Sequence, residues 1–225
     1  GGTGKTTVAV NLALAVSSGL TAHENTEVRF LDCDVEEPNA ALFLQPDIEE
    51  RQDVGVLVPE VDLGKCTFCG RCAEVCQYNA IAVVEPKVLV FADLCHGCGS
   101  CTLNCPEGAI QERLHVSGVV ERGLARGSMH FAHGILNVGE AMAVPIIREV
   151  KRRTIPGDAD RSLVILDAPP GTACPVVTTM SDSDVLLMVT EPTPFGLHDL
   201  RLAVEVARGE MGLPVAVVIN RDGIG

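Results

Sequence analysis

The sequence predicts an α/β fold: a mostly parallel sheet with helices on both faces, plus a small inserted α+β domain. Three observations lead there. The strand-like segments in the outer parts of the chain are continuous apolar runs without alternation, separated by helical segments, the pattern of a parallel sheet covered on both faces. A glycine-rich turn, Gly1-Gly2-Thr3-Gly4-Lys5-Thr6-Thr7, opens directly into one of those helices. Eight of the ten cysteines lie between Cys66 and Cys105, in two runs repeated at a spacing of 29 residues.

The elements follow in order. Lys5 to Ser18 reads as a helix with Val8, Leu12, Ala15 and Val16 on one side, and Val28 to Leu31 as a short strand. Met129 to Glu149 reads as a strand or hairpin and then a helix after Pro145. Leu163 to Leu166 is a further strand, Asp184 to Thr190 a continuous apolar one, and Leu197 to Met211 an amphipathic helix ending at Gly212. Val215 to Ile219 is a buried strand followed by the loop Asn220-Arg221-Asp222-Gly223. The cysteine region divides the chain into residues 1–58, an insert at 59–113, and residues 114–225.

Charge and composition narrow the partners. Thirty acidic residues against 17 lysines and arginines give a net charge of -13, so the surface is expected to repel nucleic-acid backbones and anionic lipid. Aromatics make up 3% with no Trp, which disfavours base-stacking platforms. No apolar run reaches the roughly 18 residues of a membrane span, and no signal peptide opens the sequence, so a cytoplasmic protein with neither nucleic-acid nor membrane partners is expected.

The glycine-rich turn has the chemistry of a phosphate-binding loop. Successive backbone N–H groups and a helix N-terminus face the phosphates, Lys5 supplies a point charge to the β- and γ-phosphates, and the Thr6 hydroxyl would ligate Mg²⁺. The Walker pattern G-x-x-x-x-G-K-[ST] asks for a glycine before Gly1 and for a strand feeding the turn, so the expectation is a fragment lacking its first strand and C-terminal part. A nucleotide hydrolase also needs carboxylates at strand ends to hold the metal's water shell and position water. Two strands deliver them: one ends in Asp32-Cys33-Asp34, the other in Asp167-Ala168-Pro169-Pro170-Gly171-Thr172. Asp167 takes the Walker B position, and the Gly171 backbone N–H could sense a γ-phosphate, making 167–175 a switch loop.

The cysteines carry the strongest signal. C-x2-C-x2-C-x3-C followed by C-x2-C-x2-C-x3-C-P is the bacterial two-cluster ferredoxin pattern, in which the fourth cysteine of each run ligates the other cluster. Cys66, Cys69, Cys72 and Cys105 should therefore hold one [4Fe–4S] cluster, and Cys95, Cys98, Cys101 and Cys76 the second. Cys76 is followed by Gln77 where the pattern has proline. Zinc modules rarely place three cysteines at such intervals. Gly70, Gly97, Gly99 and Gly108 would permit tight wrapping and N–H···S contacts.

Gly1-Gly2-Thr3-Gly4-Lys5-Thr6-Thr7, Asp32-x-Asp34, Asp167-x-Pro169-Pro170-Gly171 and Asn220-Arg221 together make the chain resemble the MinD/Mrp/ParA superfamily of deviant Walker P-loop ATPases, in the form that contains an inserted ferredoxin domain. The resemblance implies a P-loop NTPase fold and a homodimer with ATP and Mg²⁺ buried between subunits. It implies that Lys5, Asp34 and Asp167 are catalytic, with Asp34 positioning the hydrolytic water and Asp32 supporting the Mg²⁺ shell. It implies that Asn220 contacts adenine, with Arg221 beside it among the nucleotide-binding positions that also include Gly1, Gly2, Thr3, Gly4, Lys5, Thr6, Thr7 and Gly171. The family's signature lysine belongs immediately before Gly1, outside this sequence.

Cys33 and Cys174 read as small buried hydrophobes. Cys174 follows Asp167 by seven residues, a spacing similar to that of the cluster-ligating cysteine of the nitrogenase iron protein, which would let paired copies face each other across a dimer. His96, His115, His130, His133 and His198 have no ligand partner at recognisable spacing and receive no role. The function this supports is an ATPase that couples nucleotide state to iron–sulfur chemistry, by ATP-gated electron transfer or by cluster or metallocofactor assembly, with a redox or apo-protein partner. Alternatives are a ferredoxin-type electron carrier with a nucleotide-binding scaffold, and a MinD- or ParA-like positioning ATPase.

Overall fold

The computed structural model describes residues 2–19, 26–126, 128–157 and 160–223. Helix α1 (Lys5–Ser17) leaves the glycine-rich turn, followed by strand β1 (Val28–Asp32), the short helix α2 (Ala40–Leu44) and the long strand β2 (Asp47–Val61). The cysteine region carries α3 (Arg71–Glu74), the hairpin of β3 (Ile81–Val84) and β4 (Lys87–Val90), and α4 (Ser100–Leu103). The chain returns through β5 (Ile110–Ala125), β6 (Met129–Leu136), α5 (Val144–Thr154), β7 (Leu163–Asp167), α6 (Cys174–Met180), β8 (Leu186–Thr190), α7 (Pro194–Val204) and β9 (Val215–Ile219).

The sheet has the order β2-β5-β6-β1-β7, and β8 and β9 form a separate parallel pair. β6, β1 and β7 run parallel, whereas β2, β5 and β6 extend the sheet antiparallel. α1 packs against both β7 and β8. Alternation along β1 explains the layers: Val28 and Phe30 point into a core with Val10 and Ala13 of α1 and Phe131, while Leu31 and Cys33 point into a second core with Ile146, Ile147 and Val150 of α5. β1 is thus buried on both faces, as its lack of polar alternation predicts. β8 and β9, expected as buried strands, pair among the described residues only with each other and leave Leu187, Val217 and Ile219 exposed. Among the described residues no helix is long and apolar enough to cross a membrane.

Met129–Glu149, read as a strand or hairpin and then a helix, becomes β6 in a hairpin with β5, then α5 with Pro145 in its first turn. α5 buries Ile146, Ile147, Val150, Lys151 and Thr154, an i, i+1, i+4, i+5, i+8 stripe. Lys151 lies in that stripe because its ammonium donates to the carbonyls of Thr178 (2.9 Å), Thr179 (3.3 Å) and Ser181 (2.5 Å), closing the C-terminal end of α6. The last helix starts earlier than expected: Thr193 caps it by accepting from the Gly196 N–H at 3.0 Å with Pro194 at its first position, and it ends in a π-turn over Glu205–Glu210.

The β2–β5 ladder is the feature that the sequence concealed. It pairs Asp47 with Leu124 at one end and Val61 with Ile110 at the other. Only residues 118–125 of β5 also pair with β6, so beyond that point the two strands run on as a ribbon to the cysteine region. The change falls at a β-bulge, where Val54 faces Gly118, Gly55 faces Val116 and Ser117 is the extra residue. Gly55 is needed there, since a Cβ would collide with the His115 carbonyl.

β6 and α5 approach closely over Gly134, where a Cβ would lie 2.5 Å from Ile146 and 2.7 Å from Val35. Gly134→Ala is therefore expected to lower unfolding free energy by about 1–3 kcal/mol, read from urea denaturation. An unchanged midpoint would contradict this packing.

Candidate functional site

The glycine-rich turn takes its shape from backbone freedom. Gly2 and Gly4 have φ of +86° and +92°, and Gly4 stands immediately before α1. A Cβ on Gly4 would also strike the Asn220 amide, so glycine is required twice over. The Asn220 side-chain amide donates to the Thr3 carbonyl at 2.8 Å, and its backbone N–H donates to the Thr190 carbonyl at 2.7 Å, fastening the end of β9 to the turn. Arg221 pairs with Glu191 at 3.2 Å. Gly1 lies outside the described residues. Lys5, Thr6 and Thr7 form the first turn of α1.

The carboxylates converge beside this turn. Asp32 and Asp167 are partners in register at the C-terminal ends of β1 and β7, and the Cys33 N–H donates to the Asp167 carbonyl at 2.9 Å. Asp32 is fully buried, with one oxygen accepting from the Asp34 N–H (3.1 Å) and the other from the Asn39 (3.1 Å) and Ala40 (3.0 Å) N–H groups. Burial, joined by the charges of Asp167 and Asp34, pushes its carboxyl up to about 7 against those hydrogen bonds. Asp34 is also raised, by burial and by Asp167, with Lys5 opposing. Asp167 is raised by burial, opposed by a hydrogen bond with the Thr6 hydroxyl and by Lys5. Its Oδ2 is buried without a partner. Three carboxylates held above their ordinary values, with one orphaned oxygen beside a threonine hydroxyl, fit a hydrated divalent cation.

Gly171 sits in the exposed loop between β7 and α6 with φ +96°. Cys33 is buried, and burial holds its thiol well above the ordinary range. Cys174 departs from expectation: it is exposed, because α6 turns Val176, Thr179 and Met180 inward and leaves its first residue outside.

The cysteines form two cavities at the tip of the ribbon. Cys66, Cys69, Cys72 and Cys105 line one, and Cys76, Cys95, Cys98 and Cys101 the other, so the fourth cysteine of each run crosses to its neighbour's cavity. The repeat extends to the backbone. Gly70 and Gly99 open the two short helices at φ +81° and +72°, and Phe68 and Asn79 adopt positive φ where the second half has Gly97 and Gly108. Backbone N–H groups of Phe68, Ala80 and Ala109 donate to the sulfurs of Cys66 (3.4 Å), Cys76 (3.3 Å) and Cys105 (3.3 Å). In the second cavity Tyr78 stacks on His96 at 3.8 Å, a contact between residues 18 apart that no local motif announces.

Asp32 also gives the fold a pH dependence. Its folded value lies above that of the unfolded chain, so its contribution is full at low pH and lost as pH rises through about 7. The protein free of nucleotide and Mg²⁺ should lose several degrees of Tm between about pH 5 and 8, above the range where Glu149, held down to about 2 by Arg152 and Arg153, titrates. Asp32→Asn should flatten that slope; an unchanged slope in calorimetry would reject the assignment.

Comparison with known proteins accords with this arrangement. Residues 59–82 and 87–110 each match a family described as a 4Fe-4S binding domain. The chain is 31% identical over 225 residues to the uncharacterized protein MJ0579 of Methanocaldococcus jannaschii, covering all of this chain and 78% of that protein. It is 32% identical to the uncharacterized protein MJ0578 of the same organism, covering all of this chain and 76% of that one. Among solved structures it is similar to the septum site-determining protein MinD of Pyrococcus horikoshii OT3, complexed with Mg-ADP, with TM-score 0.51 and 17% identity over all of this chain and 68% of that one. With its matched cluster-binding segments and MinD-like P-loop fold, the chain belongs to the family of MJ0579 and MJ0578: a MinD-like fold with an inserted ferredoxin domain.

Proposed function

We propose that the chain binds and hydrolyses ATP as a P-loop homodimer and couples its nucleotide state to [4Fe–4S] chemistry, as ATP-gated electron transfer to a partner protein or as assembly of an iron–sulfur or other metallocofactor. One observation carries this reading: the ribbon bearing both cysteine cavities is a direct continuation of strands in the sheet whose β1 ends at Asp32, two residues before Asp34.

Bound Mg²⁺ and clusters would supply phosphate charge neutralisation and one-electron chemistry respectively. The chain's own residues do the rest. Lys5 and the N-terminal turn of α1 bind phosphate, and Thr6 and Asp167 hold the metal's water shell with Asp32 behind them. Asp34, half-buried with its carboxyl raised, orients the attacking water and takes up its proton. The Gly171 N–H reads the γ-phosphate, so that the loop to α6 orders only with triphosphate bound. Asn220 acts from the turn it fastens, with Arg221 beside it, on the nucleotide's base side. Cys66, Cys69, Cys72 and Cys105 hold one cluster, and Cys76, Cys95, Cys98 and Cys101 the other. Burial raises the Cys72 and Cys101 thiols, so loading releases protons from groups otherwise neutral, while the Ser100 hydroxyl lowers Cys98.

Cys105→Ala should cost about half of the bound iron and leave the second cluster's EPR signal intact; loss of the second cluster with the first retained would refute the crossed ligation. Asp34→Ala in the full-length protein should reduce ATP turnover by about 10²-fold or more while nucleotide binding persists, as measured by phosphate release and calorimetry. An anaerobic EPR-monitored redox titration with and without MgATP tests the coupling itself. A nucleotide-dependent shift in potential or line shape is expected for gated transfer. Clusters indifferent to nucleotide, with no ATP-dependent cluster transfer to an apo-protein, would overturn the proposal.

A further inference from the structure

Asp93, His115 and Glu140 come from three separate parts of the chain and meet at the base of the insert. Asp93 lies in the 3-10 turn Ala92–Leu94 just before Cys95, His115 on the free ribbon of β5, and Glu140 in the loop after β6. One ligand-capable atom from each lies within 4.8 Å of the other two. His115 Nε2 and Glu140 Oε1 are 2.9 Å apart, with side chains 31% and 18% exposed.

The backbone fixes all three positions. Asn137 ties the Glu140 loop to β5, its N–H donating to the Ser117 carbonyl at 2.9 Å and its side-chain amide to the Val116 carbonyl at 3.2 Å, and the Glu140 N–H donates back to the Asn137 carbonyl at 3.1 Å. His115 stands beside the Ser117 bulge with Gly55 packed against its carbonyl. The Asp93 turn is closed by Leu94 and Cys95 N–H groups donating to Phe91 (3.1 Å) and Ala92 (3.0 Å).

We propose that Asp93, His115 and Glu140 form a divalent transition-metal site, distinct from the cysteine cavities, that joins the insert to the sheet. One imidazole and two carboxylates give a donor set of charge about -2, suited to Zn²⁺ or Mn²⁺ and unlike the soft thiolate sets nearby. Bonds of about 2.0–2.2 Å around tetrahedral Zn²⁺ put ligand atoms roughly 3.3–3.5 Å apart, so the His115–Glu140 pair opens slightly from 2.9 Å and Asp93 draws in, adjustments that side-chain rotation supplies. A fourth ligand, water, fits on the open side left by exposed Asp93. Metal at this site would fix the angle of the cluster-bearing tip relative to the sheet.

The test uses the full-length, cluster-loaded protein without nucleotide, titrated anaerobically with Mn²⁺ and followed by loss of the free-ion EPR signal. Mn²⁺ is the probe because thiolates compete poorly for it. A site is expected that is weakened at least about tenfold in His115→Ala, Glu140→Gln and Asp93→Asn with iron content unchanged, is retained in Asp34→Asn, and is displaced by Zn²⁺. The intact iron content shows that each variant is folded. Binding absent from the parent protein, unaltered in all three variants, or removed only by Asp34→Asn would overturn the site and leave His115–Glu140 as a hydrogen-bonded pair.

Discussion

The pairing of β2 with β5 is the constraint on which the rest depends. The strands enclose almost fifty residues of insert, and only because they zip from Val61–Ile110 back to Asp47–Leu124 can that insert interrupt the sheet without breaking it. The ladder places β5 beside β6 and β6 beside β1, which sets the strand carrying Asp32 between β6 and β7, one in from the end of the five-stranded sheet. Register is fixed at three independent points: the buried Val54 and Val120, the Ser117 bulge, and an ion-pair cluster of Glu50, Arg122 and Arg153 that also holds α5.

At the ends of β1 and β7 the structure accepts an electrostatic penalty. Asp32, Asp34 and Asp167 crowd together, and Lys5 is the positive group that eases the last two. Nothing in folding alone asks for such a concentration of buried acid next to a turn made of glycines. Under the proposed function a cation and phosphates would relieve this conflict, in keeping with the clustering of perturbed carboxylates at functional sites.

Much of this was legible in the sequence because it rests on local chemistry. The α1 helix, β1 and β7 are apolar runs with strong boundaries, and the cysteine spacings foretold which four sulfurs line each cavity. The ribbon was not legible. Its polar stretch Glu49-Glu50-Arg51-Gln52-Asp53 carries no strand-like alternation, and its pairing joins residues 47 and 124, a non-local event. The same separation hid His115, whose neighbours Asp93 and Glu140 lie 22 and 25 residues away, and misjudged Cys174, whose exposure depends on which face α6 turns to its neighbours.

The bulge at Ser117 gives the ribbon a mechanical meaning. At about 3.4 Å per residue, the stretch from Gly55 to Val61 carries the cysteine cavities about 20 Å out from the sheet, on two strands to which, among the described residues, no third is hydrogen-bonded. A turn of about 5° at that elbow sweeps the tip by about 2 Å. The ribbon is thus a lever, which turns a small angular adjustment at the sheet into a larger displacement of both cysteine cavities.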